Sequence, residues 1–189
     1  MNKDINKFKK AFTLIEVMVS VAIFSLLIAG PTGFFISSLK AQKKALSSQE
    51  LIDTASYFLE YTSRAIRMAQ KDSSSTCLTS LGKRNYELTE EPEQGIKFLN
   101  YKGECQKIYL EVSTGRIIEE RGGSHDYLTS GNLEVVDFKI SLSGETQLDD
   151  LQPKVTILLK IKGKSLAEEM NPEMIIQTTL SQRNLDINE

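Results

Sequence analysis

The sequence lacks most of the residues on which common metal and catalytic sites depend. Its 189 residues include no tryptophan, one histidine (His125) and two cysteines, Cys77 and Cys105. One histidine and two well-separated cysteines do not make a zinc ligand set at a standard spacing. The chain also has no nucleophile elbow, phosphate-binding loop or dinucleotide fingerprint. We therefore expect no metal, no cofactor and no enzymatic activity.

Charge is missing from a long stretch near the N-terminus. Between residues 11 and 36 the only ionisable side chain is Glu16. A run of this length can cross a bilayer as a helix. Because a charge inside such a helix costs about 2.5–3.5 kcal/mol on insertion scales, we expect Glu16 to have a specific function.

The charge that precedes this run is positive. Residues 1–11 hold four of the 23 basic residues and one of the 25 acidic residues, so the remainder has a net charge of −5. Positive flanks stay on the cytoplasmic side of a membrane. This predicts a cytoplasmic N-terminus and an extracytoplasmic C-terminal domain. The acidic remainder argues against a nucleic acid partner.

Two common interpretations of the N-terminus fit poorly. A secretory signal peptide needs an apolar core of about 7–15 residues followed by small residues. Here the apolar run is longer, and the nearest small pair, Ala29-Gly30, is followed by Pro31. A plain uncleaved anchor explains the length but leaves Glu16 without a partner.

The residues Ala11-Phe12-Thr13-Leu14-Ile15-Glu16-Val17-Met18-Val19 resemble the N-terminus of type IV pilin-like proteins. The resemblance implies that a prepilin peptidase cleaves between Ala11 and Phe12 and methylates the new Phe12 amine. It also implies that Glu16, then the fifth residue, pairs with the Phe12 amine of a neighbouring subunit. The family usually has glycine before the cut. Alanine is also small, so we expect cleavage at Ala11, at a lower rate.

This resemblance implies an assembly role in a filament. The expected partners are other pilin or pseudopilin subunits, the prepilin peptidase and the cytoplasmic (inner) membrane. The filament is a type II secretion pseudopilus or a type IV pilus. Three short segments further resemble the J-type pseudopilin of type II secretion and the W-type minor pilin: 128–135, 153–156 and 177–183.

The rest of the pattern predicts an α+β pilin-like fold, with a long N-terminal helix on an antiparallel sheet. Between Phe34 and Leu81 there is no glycine or proline. Apolar residues recur there at three- and four-residue steps, which predicts one apolar helix face made of Leu51, Ile52, Ala55, Phe58, Leu59, Ala65, Ile66 and Ala69. Pro31 should kink or locally unwind this helix. Residues 73–92 are predicted to be irregular. Short β-type runs follow them, and two of these runs are predicted to form a hairpin with its turn at Ser113-Thr114-Gly115. The predicted domains are a basic leader (1–11), a transmembrane assembly helix (12–36), its amphipathic continuation (37–72) and a β-rich domain (73–189).

Some features of the outer domain leave alternatives open. In an oxidising compartment Cys77 and Cys105 can form a disulfide, and two buried reduced thiols are the alternative. His125, in a glycine-rich stretch, is interpreted as a solvated loop residue. The acidic groups 90–93 and 149–150 lack the spacing of a calcium loop. The alternative function is a membrane-anchored extracytoplasmic domain that binds a ligand or acts as an enzyme.

Overall fold

The computed structural model describes residues 11–79, 84–90, 94–146, 151–164 and 171–183. These residues form one long helix, α1 (Leu14–Arg67), and eight strands. The predicted α+β architecture, in which a long N-terminal helix packs on antiparallel β-structure, is therefore confirmed. The chain divides into two compact units, Met1–Lys43 and Lys44–Glu189. Most of the predicted leader, residues 1–10, lies outside the described residues.

The part of α1 in the first unit is apolar and carries no buried side chain among its described residues. Pro31 lies inside the helix, which continues without a break on both sides. The local unwinding expected at this position is therefore not present. A proline removes only one backbone hydrogen bond, and the Thr32 hydroxyl donates to the Ile28 carbonyl 2.8 Å away on the preceding turn.

The part of α1 in the second unit buries a narrow stripe of side chains. These side chains recur at steps of three and four residues, which places them on one helix face: Leu51, Ala55, Phe58, Thr62 and Ile66. The predicted apolar face is correct at most of its positions, but Ile52 is half exposed. The helix ends at Arg67 rather than near residue 72, because Gln70 pairs with Leu99 of the sheet instead.

Five strands form one antiparallel sheet in the order β1-β2-β3-β4-β5. Their bounds are Tyr86–Leu88, Gln94–Leu99, Cys105–Glu111, Arg116–Arg121 and Ser124–Tyr127. The predicted hairpin between β3 and β4 is confirmed, with Gly115 at a φ of 65° in its turn. The strands β1 and β5 were not predicted: the first falls in the stretch expected to be irregular, and the second contains His125.

Three further strands form a second antiparallel sheet in the order β6-β7-β8. Their bounds are Leu133–Ser143, Lys154–Gly163 and Glu173–Ser181. The sequence analysis placed all strands in a single sheet, whereas the structure has two. Both sheets contribute to one core with the second half of α1, where Phe58 packs edge to face on Phe138 at 5.9 Å.

Candidate functional site

The candidate site lies where α1 begins. Residues 11–13 are not helical, and Thr13 occupies the N-cap position before Leu14. The Thr13 backbone N–H and its hydroxyl each donate to Glu16 Oε2 at 3.0 Å. In return the Glu16 N–H donates to the Thr13 hydroxyl at 3.4 Å. This reciprocal pattern is a capping box, which satisfies N–H groups that have no partner at a helix start.

Glu16 is therefore oriented by its own chain. Both hydrogen bonds from Thr13 reach the same oxygen, Oε2, and within the described residues no hydrogen bond reaches Oε1. The side chain is exposed, as is that of Phe12, which is 84% exposed. A carboxylate at the first turn also interacts favourably with the positive end of the helix dipole. The site thus offers one free anionic oxygen beside the predicted new N-terminus.

Other polar side chains of the apolar segment are satisfied within the helix. The hydroxyls of Ser20, Ser25 and Thr32 donate to the carbonyls four residues earlier at 2.6–2.8 Å. This pairing is what a non-aqueous environment requires of hydroxyl groups. Glu16 differs from them because half of its carboxylate has no partner in the described chain.

The apolar part of α1 meets the length and composition requirements of a membrane-spanning helix, and none of its most apolar stretch is buried. Its exposed side chains include Phe24, Leu26 and Phe34. Exposed apolar surface on this scale marks a site of contact with lipid or protein.

The two cysteines lie in the second unit and are joined. A disulfide links Cys77 to Cys105, with their Cα atoms 5.2 Å apart. The loop before Cys77 is organised by Asp72, whose carboxylate accepts the N–H groups of Thr76, Cys77 and Leu78 at 2.8–3.1 Å. Burial alone would raise the Asp72 pKa, but the N–H donors of this loop outweigh burial and hold that pKa below its usual value.

No catalytic cluster is evident in the described part of the chain. His125 is exposed on β5 opposite Glu120, not in the loop that the sequence suggested. Within the described ranges, no group of three His, Cys, Asp or Glu side chains is placed to hold a metal ion. The acidic groups at 91–93 and 149–150 lie outside those ranges.

The sequence analysis missed Thr13 as the partner of Glu16. The signal was present, because Thr-x-x-Glu before an apolar run is the sequence pattern of a capping box. It also missed Asp72 as the organiser of the disulfide loop. No spacing rule identifies that role, because the acceptor bonds depend on how the following residues turn.

Comparison of the whole chain with curated proteins and with solved structures finds no match. A family model does match the N-terminal segment that contains the candidate site. Together with the apolar helix, this match supports anchoring in a membrane. Residues 6–30 are similar to the family described as "Prokaryotic N-terminal methylation motif".

Proposed function

We propose that the chain is a prepilin-like structural subunit, a minor pilin or pseudopilin, that is cleaved between Ala11 and Phe12 and methylated on Phe12. The observation that carries this proposal is the methylation motif at residues 6–30, with Glu16 at the start of an apolar helix. We further propose that the processed chain assembles into a type II secretion pseudopilus or a type IV pilus.

The geometry at the helix start supports cleavage at Ala11. Residues 11–13 precede the helix and are not helical, and Phe12 is exposed, so the bond between Ala11 and Phe12 lies outside the helix. A peptidase needs an accessible backbone that can enter its site. Cleavage there creates a positive amine one residue before the capping box.

Glu16 gives a physical reason for assembly. An unpaired carboxylate inside a bilayer is costly, whereas a paired one is tolerated. The Phe12 amine of a neighbouring chain is a cation that can reach Glu16 Oε1 while Thr13 still holds Oε2. Side-by-side docking would relieve the unfavourable charge and fix the axial register of two helices.

The proposed domains follow from this function. The leader is 1–11, the transmembrane assembly helix 12–36, its continuation 37–72 and the extracytoplasmic domain 73–189. The lysines of the leader support a cytoplasmic N-terminus. The Cys77–Cys105 disulfide supports an oxidising location for the outer domain. We assign the catalytic role in processing to the prepilin peptidase and none to this chain.

Processing is tested by co-expression of the full chain with a prepilin peptidase, followed by intact mass measurement. We expect the loss of residues 1–11 and the gain of one methyl group. Ala11→Gly should be processed faster, and Ala11→Leu should remain uncleaved because a large side chain replaces the small residue. A parent chain of unchanged mass would contradict the proposal.

Assembly is tested separately with Glu16→Gln, which keeps the size of the side chain and removes its charge. We expect normal cleavage and methylation but loss of filament incorporation, measured by recovery in sheared filament fractions. A Ser20→Ala variant is the matched control, since its hydroxyl is satisfied within the helix. Incorporation of Glu16→Gln at the parent level would remove the pairing argument.

A further inference from the structure

A groove in the second unit remains without an assigned role. It lies between α1 and the end of the five-stranded sheet and has a volume of about 600 Å³. This volume falls within the range of ligand-binding clefts. Its principal lining side chains are Tyr57, Tyr61, Arg64, Met68, Tyr101 and Arg121. We call this set the tyrosine groove.

The floor of the tyrosine groove is held rigidly. Glu119 is buried on β4, and its Oε1 accepts the Tyr61 hydroxyl at 2.5 Å and the Gln106 side-chain amide. Burial first, and then the bond to Glu119, raise the Tyr61 pKa well above its usual value. The phenol therefore stays protonated and keeps donating, so the position of the Tyr61 ring is fixed before any ligand arrives.

The walls are apolar and accessible. Tyr57 stacks on Tyr61 with ring centroids 6.1 Å apart, and Tyr101 on the opposite wall is 52% exposed. Met68, at the end of the groove, is 39% exposed. Tyrosine, methionine and arginine are the residue types enriched at protein-binding surfaces, where rigid rings give contact area at low entropic cost.

The charges at the mouth of the groove are unbalanced. Arg64 forms an ion pair with Glu60 at 3.0 Å, whereas among the described residues Arg121 has no carboxylate within ion-pair distance. Arg121 lies on the same face of β4 as Glu119, since strand side chains alternate. On the same face of the sheet Glu119 is already engaged by two donors, and Asp126 of β5 lies opposite Glu119 and forms no ion pair with Arg121 within the described residues. Arg121 is therefore available to a carboxylate from outside.

The polar groups of the lining indicate a peptide rather than a sugar. Sugar recognition needs several free donors and acceptors, but the Asn100 side chain already bonds to Lys102 and Glu104. The Gln106 amide is likewise engaged by Glu119. Beside the Glu60–Arg64 ion pair, the rest of the lining consists mainly of the Tyr57, Tyr101 and Met68 side chains and the Arg121 guanidinium, which match an apolar side chain beside a carboxylate.

We propose that the tyrosine groove binds an extended segment of another protein, in which an aromatic or aliphatic side chain adjoins an aspartate or glutamate. The apolar side chain lies between the Tyr57–Tyr61 pair and Tyr101. The carboxylate accepts a charge-assisted hydrogen bond from Arg121. This site goes beyond the proposed function, and its failure would leave the processing result unchanged.

The probe is the acetylated and amidated tetrapeptide Ala-Phe-Asp-Ala, with Ala-Phe-Asn-Ala as the uncharged match. Binding to the full chain in lipid nanodiscs is followed by calorimetry and by tyrosine fluorescence, which the absence of tryptophan makes directly observable. We expect the aspartate peptide to bind about tenfold more tightly than the asparagine peptide. Arg121→Gln should abolish this preference.

Two further variants separate the groove from general effects. Lys154→Gln removes an equal charge from an exposed position elsewhere and should leave the preference unchanged. Tyr101→Ser should weaken both peptides alike, because it removes a wall and no charge. Equal affinity for the two peptides, or an undiminished preference in Arg121→Gln, would overturn the proposal. Absence of binding of either peptide up to ~1 mM would also overturn it, whether or not the sugar chitotriose, used as the competing ligand class, binds.

Discussion

The hydroxyl of Thr62 is buried without a hydrogen-bond partner in the part of the chain that the structure describes. Thr62 lies on the buried face of α1 at 1% exposure, and its Oγ1 has no hydrogen-bond partner among the described residues. Burying an unpaired hydroxyl costs about 1–3 kcal/mol. A methyl group of the same shape would avoid that cost.

Thr62→Val should therefore raise the free energy of unfolding by about 1 kcal/mol. Thr54→Val is the matched control, since Thr54 lies on the same helix but is only partly buried. That change should stay within about 0.5 kcal/mol of the parent. Urea unfolding of the two variants measures both values, and a destabilised Thr62→Val would mean that the hydroxyl is satisfied.

Asp72 links acidity to the stability of the outer domain. Its folded-state pKa lies below the unfolded value of about 3.9, because the N–H donors of the disulfide loop bind the charged form. The unfolded chain therefore binds more protons in the window below about pH 4. The stabilising contribution is complete above that window and is lost as pH falls through the folded pKa.

Asp72→Asn should lower the stability at pH 7 and flatten the loss of stability as the pH falls below about 4. Thermal unfolding across this range, with the disulfide intact, measures both effects. Asp53→Asn, at an exposed helix position, is the control and should leave the loss of stability at low pH unchanged. If Asp72→Asn lost stability at low pH as steeply as the parent, other carboxylates would be responsible for the pH dependence.

At the scale of elements, the end of α1 is closed by donors from distant segments. The last turn of a helix leaves carbonyls without partners. Here the Tyr86 hydroxyl donates to the Ile66 carbonyl at 2.8 Å, and the Arg183 N–H donates to the Arg67 carbonyl at 2.9 Å. The Gln182 side chain donates to the Ala69 carbonyl at 2.8 Å. Strand β1 and the segment after β8 thus cap the helix together.

Tyr86→Phe should lower the stability of the outer domain by about 1 kcal/mol, because it removes one buried hydrogen bond while keeping the ring. Tyr127→Phe is the matched control, since Tyr127 is half exposed and its contact with Arg116 uses the ring face. Chemical unfolding of both variants tests this, and equal stabilities would mean that the Tyr86 bond contributes nothing.

The strands that the sequence predicted are those with a clear hydrophobic pattern. Strand β7 alternates through five buried residues, whereas β5 is exposed throughout and β1 has only three residues. The Gly122-Gly123 turn before β5 did carry a local signal, because both glycines have positive φ, as a tight hairpin requires. Separation into two sheets could not be read from sequence, since it depends on which distant strands pair.

The candidate functional residues also differ in how far the sequence predicts them. Glu16 was identifiable because one charge in an apolar run is conspicuous, and Thr13 was identifiable in principle from its spacing. The tyrosine groove was not, because Tyr61, Tyr101 and Arg121 are far apart in sequence and meet only through the fold. Local chemistry was therefore predictable, and chemistry assembled from several elements was not.

At the scale of the whole molecule, the two units have different requirements for stability. The apolar segment of Met1–Lys43 has no buried side chain among its described residues, so its apolar surface needs lipid or other helices. Among the residues that the structure describes, the unit Lys44–Glu189 contains the hydrophobic core, both sheets and the disulfide. A unit with its own core is expected to fold alone.

A fragment of residues 44–189 exported to an oxidising compartment should therefore be soluble and unfold in one cooperative step. The full chain should instead partition into membranes, because residues 12–36 carry the apolar surface. Membrane fractionation of both forms and thermal unfolding of the fragment measure these properties. The Cys77→Ser, Cys105→Ser fragment should be less stable by about 3–4 kcal/mol, the value expected for a loop of 28 residues. A fragment that aggregates or unfolds without cooperativity would show that the core depends on the first unit.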